Sequence, residues 1–73
     1  MTLADVAIGT TVSVTDIVAD EVLKQRLLDM GITDGAKITV RRFAPLGDPV
    51  EIVVRGCALV IRKEDATHIK VKQ

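Results

Sequence analysis

One cysteine, one histidine, ten carboxylates and ten basic side chains make up the titratable side chains of this 73-residue sequence. Their spacing decides what chemistry is open to them. Cys57 and His68 each stand alone. Neither has a second cysteine, nor a histidine at metal spacing, and no His-x-x-Glu arrangement or acidic cluster completes a zinc or iron cage. Nucleophilic catalysis fares no better, because a thiol needs a base beside it. Arg26, Arg41 and Arg42 are the remaining candidates, as guanidinium groups reaching a nucleotide phosphate held by a partner. Exposed arginines are common, so a solvated face is their ordinary reading. The sequence therefore predicts no catalytic residue, no metal ligand set and no cofactor.

The more informative stretch is Ala44-Pro45-Leu46-Gly47-Asp48-Pro49-Val50. Pro45 fixes φ, Gly47 permits a left-handed step, Asp48 is placed to cap the turn, and Pro49 favours an extended start to the next strand. Those roles account for every residue but Leu46. An apolar side chain at the tip of a stiff loop either folds back onto the domain or anchors a partner, and preorganisation lowers the entropy cost of the second use.

The elements that hold this loop follow from periodicity. Thr2-Leu3-Ala4-Asp5 resembles an N-cap with an acidic residue three places on, giving one helical turn that Gly9 ends. Thr11 to Ile17 alternates, with Val12 and Val14 on one face. From Asp20 the period becomes helical: Val22, Leu23, Leu27 and Met30 form a stripe, Asp20 and Glu21 sit at the positive end of the dipole, and Gly31 takes the C′ place. Thr33-Asp34-Gly35 is turn chemistry. A second strand runs from about Ala36 to Phe43. Phe43 is out of phase with Ile38 and Val40, so a β-bulge is expected at Arg41-Arg42.

A two-residue hairpin loop at Arg55-Gly56 pairs Val54 with Cys57, Ile52 with Leu59 and Val50 with Ile61, all six on one face. Cys57 then reads as a buried small hydrophobe. The same register puts Val53, Ala58 and Val60 on the other face, either under the helix or against another protein. Lys63 to Ala66 gives one helical turn, and His68 to Val71 a last strand with Ile69 and Val71 inward. The expected fold class is all-β: a small SH3-like five-stranded barrel with a short helix inserted after the first strand, a single domain spanning residues 1–73.

Composition limits the partners. Net charge is zero and Phe43 is the sole aromatic, which argues against duplex phosphates and against stacked single-stranded nucleic acid. It argues equally against an aromatic-lined groove for proline-rich peptides. Charge is unevenly spread, with six acidic and two basic residues up to Ala36 and four acidic and eight basic from Lys37 onward. The longest apolar run is Cys57 to Ile61, too short for a membrane span. A lone cysteine allows no internal disulfide, which fits a reducing cytosol. With Met1 at its start and a strand near its end, the sequence reads as a whole small protein or as a trimmed piece of one. Homo-oligomerisation through an exposed strand edge is left open.

The segments Arg26-Leu27-Leu28-Asp29-Met30-Gly31-Ile32, Gly35 and Ala44 to Pro49 resemble the FeoA family. Leu59-Val60-Ile61-Arg62, Ala66, Ile69 and Val71 match it more loosely, with Ile61 where leucine is the expected residue. FeoA proteins are small cytosolic accessories of bacterial ferrous iron uptake. The resemblance implies an SH3-like barrel without catalysis, whose partner is FeoB, a membrane transporter with a cytosolic GTPase domain. On this reading the contact surface comprises Arg26, Met30, Gly31, Pro45, Leu46, Gly47, Asp48 and Pro49. Similar domains end the metal-dependent repressors of the diphtheria toxin repressor class. A detached regulatory domain of that kind is the alternative, disfavoured because no DNA-reading helices are present.

Overall fold

Alternation in the strands and a helical stripe between them give the order β1 (Thr11–Ile17), α1 (Glu21–Asp29), β2 (Lys37–Phe43), β3 (Val50–Val54), β4 (Cys57–Ile61), α2 (Lys63–Ala66) and β5 (Ile69–Lys72). A 3₁₀ turn, Leu3–Asp5, precedes them. The computed structural model describes residues 1–73. All strand pairs are antiparallel, in the order β4-β3-β2-β1-β5. The 17 buried side chains are all apolar and form one cluster. No buried side-chain nitrogen or oxygen lacks a hydrogen-bond partner. No helix is long and apolar enough to cross a membrane.

The β3–β4 register is the predicted one, with Val54 opposite Cys57, Ile52 opposite Leu59 and Val50 opposite Ile61. The bulge in β2 is also present: pairing with β3 shifts between Val40 and Arg42, and Phe43 comes to rest partly buried against the core. Strand β1 holds a second bulge that its alternation did not predict. Pairing with β5 shifts between Val14 and Asp16, which turns Ile17 inward, and the Asp16 carboxylate accepts from the Ile17 N–H at 2.8 Å. Each bulge adds local twist, and together they bend a five-stranded sheet around its own apolar face.

Helix α1 begins where Asp20 Oδ1 accepts from Leu23 N–H at 2.8 Å. Its other end is a Schellman motif: Ile32 N–H reaches the Leu27 carbonyl and Gly31 N–H the Leu28 carbonyl, each at 3.0 Å. Gly31 has φ 91°, which only glycine adopts without strain. Leu27 and Ile32, the pair that closes this motif, are both in the core, and this explains why leucine, glycine and isoleucine stand here at that spacing. Leu23, Leu28 and Met30 pack partly buried against the same cluster.

Several expectations change. Cys57 is exposed, not buried: it faces inward in register, but it lies at the hairpin end of an edge strand, past the core. Val22 is 72% exposed, because the inward stripe of α1 starts one residue later. The first turn ends at Val6, whose backbone is already extended, while Gly9 donates to the Val40 carbonyl at 2.7 Å. Strand β2 starts at Lys37, and β5 covers Ile69–Lys72, leaving His68 in the preceding turn.

Candidate functional site

The loop between β2 and β3 is fastened at three points. Gly47 N–H donates to the Ala44 carbonyl at 2.7 Å and Ala44 N–H to the Pro49 carbonyl at 3.0 Å, closing the loop on itself. Asp48 Oδ1 accepts from Lys63 N–H at 3.0 Å. Asp48 therefore caps the first turn of α2 and not its own turn as expected, and this clamps the loop to a helical turn fifteen positions away. Gly47 has φ 83°, and the Asp48–Pro49 peptide bond is cis.

Leu46 rides on this clamp at 95% exposure. It does not fold back. Beside it lies an open groove of about 510 Å³ lined by Arg42, Phe43, Ala44, Pro45, Pro49, Glu51 and Val60. An exposed leucine thus stands beside a groove lined in part by proline, phenylalanine and valine, an apolar surface feature of the kind that marks contact sites. Ala58 is exposed and Val60 is 58% exposed, with Val53 half-buried. Helix α1 does not cover this strip, so the apolar region continues from the loop along the outer face of β4.

The bulge in β2 sets the electrostatics here by placing two arginines against one carboxylate. Arg41 Nε lies 3.3 Å from Glu51 Oε2, and Arg42 Nη2 lies 3.2 Å from Glu51 Oε1. Neither guanidinium is free to reach a distant phosphate without leaving this pair. Arg26 is exposed on α1, with no ion pair. His68 Nδ1 lies 2.9 Å from the Val18 carbonyl, which requires that nitrogen to carry the proton. Nowhere do three or more histidine, cysteine, aspartate or glutamate side chains converge.

The predicted contact residues fall into two groups. Pro45 to Pro49 adjoin Val50, whereas a β-carbon on Gly31 would lie 3.9 Å from Val54 Cγ1. Val50 and Val54 are the two ends of β3, about 13 Å apart in an extended strand. Met30, Gly31 and Arg26 thus stand at one end of the sheet and the loop at the other. Sequence reasoning missed Phe43 and Val60 as groove residues, although the out-of-phase Phe43 and the outward Val60 were both visible signals.

Five short antiparallel strands bent around one apolar core, with a helix inserted after the first, define a small SH3-like barrel. Its fold is shared by a FeoA of Stenotrophomonas maltophilia complexed with zinc, described as a prokaryotic SH3 domain protein, at TM-score 0.86 and 22% identity, covering 99% of this chain and 89% of that one. The FeoA domain profile matches residues 1–73, and the chain belongs to that family. A solution structure of FeoA protein from Chlorobium tepidum is 41% identical, with TM-score 0.91 over 97% of this chain and 68% of that one. An Fe(2+) transport protein A/Fe(2+) transporter FeoB fusion protein of Porphyromonas gingivalis is 33% identical over 99% of this chain. This chain spans only 8% of that fusion protein's length.

Proposed function

We propose that this chain is a non-enzymatic cytoplasmic accessory of ferrous iron uptake that binds the cytosolic part of a FeoB-like membrane transporter and modulates it by contact. The observation that carries the contact is Leu46, nearly fully exposed on a loop held by three hydrogen bonds. Joining of the two activities in the Porphyromonas gingivalis fusion protein supports the choice of partner. Leu46 is the anchor, and Pro45, Gly47, Asp48 and Pro49 keep it in place. Met30, Gly31 and Arg26 form a separate face that a large partner reaches only by extending along β3. The alternative, a regulatory domain detached from a metal-dependent repressor, has less support than membership of the FeoA family.

The test is affinity capture of a FeoB-like transporter from detergent-solubilised membranes. Native chain retains the transporter, and Leu46→Glu reduces retention about tenfold or more, as loss of a buried apolar anchor does. Equal retention by a folded Leu46→Glu variant removes the loop from the contact.

A further inference from the structure

The two edges of this sheet are treated differently. At the β5 edge, the N-terminal segment lies alongside: Thr2 bridges Lys70, and Val71 N–H donates to the Met1 carbonyl at 3.0 Å. The β4 edge has no such cover. Strand β4 pairs with β3 alone, and no side chain or loop backbone bonds any residue from Cys57 to Ile61. The two-residue loop makes Val54 and Cys57 an exchanging pair, so alternation turns the N–H and C=O groups of Ala58 and Val60 outward to solvent. This strand lacks the usual protections of an edge, since Cys57-Ala58-Leu59-Val60-Ile61 contains neither a charge nor a proline.

Charge decides what fits. Arg41 and Arg42 are both paired with Glu51, and Glu64 and Asp65 follow Lys63 in α2, so the cations left to act are those that directly bracket β4. Arg55 stands before β4 and Arg62 and Lys63 directly after it, all exposed. A second copy paired antiparallel across Leu59 would set Arg55 against Lys63 of its mate, a like-charge juxtaposition at both ends. An extended apolar segment with acidic residues at its ends meets a cation at each end instead.

We infer that the free edge of β4 is a docking site for an extended, acid-flanked apolar segment of another protein, which adds a sixth strand by pairing with the backbone of Ala58 and Val60. The site adjoins the groove beside the Leu46 loop through Val60 but uses the β4 backbone and not the Leu46 side chain, and it stands whether or not the partner is a transporter. The outward side chains of Ala58 and Val60 select small or branched apolar residues at alternate positions, and Arg55, Arg62 and Lys63 select the flanking acids.

The test is an amide NMR titration of the 73-residue chain with a synthetic peptide of alternating valine and threonine that carries one aspartate at each end. The expected result is that the Ala58 and Val60 amides shift most and exchange with solvent at least tenfold more slowly. A lysine-flanked peptide should bind at least tenfold more weakly, and a peptide N-methylated at its pairing positions should not bind. Val60→Lys should weaken binding of the aspartate-flanked peptide, while Leu46→Glu leaves it unchanged. The inference is overturned by shifts centred away from β4, by equal binding of the two charge variants or the N-methylated peptide, or by concentration-dependent broadening of β4 without peptide, which would assign the edge to a second copy.

Discussion

Single residues carry much of the local logic, and Gly31 is the clearest case. A β-carbon there would meet only Val54 Cγ1, at an ordinary 3.9 Å, so space is not the obstacle. The φ of 91° is. Gly31→Ala should therefore cost about 1 kcal/mol, lowering the melting temperature by roughly 4–8 °C in a domain of this size. No comparable loss in thermal melting would mean that α1 ends differently. Asp5 offers a second test. Thr2 N–H and the Thr2 hydroxyl both donate to Asp5 Oδ2 at 3.1 Å. The backbone donor first, then the hydroxyl, with the N-terminal charge contributing least, hold this carboxyl below its ordinary range. A depressed value means that folding favours the ionised form, so the stabilisation is present above the ordinary carboxylate range and is lost as pH falls through the folded value. An NMR titration should show a low Asp5 midpoint and loosening of the 3₁₀ turn only in acid. An ordinary midpoint in the native chain would remove the bond to Thr2.

At the scale of elements, the β3–β4 hairpin is held in a costly turn. Arg55 has φ 53° and Gly56 φ 79°, the geometry that asparagine–glycine prefers. Against that cost stands one exposed bond from Arg55 Nη2 to Thr33 Oγ1 at 3.3 Å, worth less than the strain. Arg55→Asn should stabilise the fold by roughly 0.5–1 kcal/mol, and a lower melting temperature would show that the Thr33 bond outweighs the strain. The loop clamp predicts the opposite sign elsewhere: Asp48→Ala should cost about 1 kcal/mol and speed exchange of the Lys63 amide. Unchanged exchange at Lys63 would mean that the clamp is not formed. The register of this hairpin was legible because period-two alternation and a two-residue loop allow one pairing. Phe43 betrayed the bulge in β2 by breaking that period. Val14 and Ile17 carry the same kind of signal for β1, three apart yet both apolar, but the short span between them hides it. The burial expected of Cys57 fails, because alternation reports which face a side chain takes and not whether anything lies over it. The partner of Asp48 was hidden for a related reason, since a cap across fifteen positions leaves no local spacing to read.

For the whole molecule, the outer surface is divided between a clamped apolar tip at one end of β3 and the terminus of α1 at the other. Sequence reasoning found both as motifs but could not see that a strand's length separates them. The proposed contact rests on the exposed Leu46 tip at the first of these ends. The direct measurement is a calorimetric titration of the native chain and of Leu46→Glu against the purified cytosolic part of a FeoB-like transporter. Saturable binding by the native chain, weakened about tenfold or more in a variant with unchanged melting temperature, is the result predicted. Binding that Leu46→Glu leaves intact, or no binding by the native chain, would contradict it.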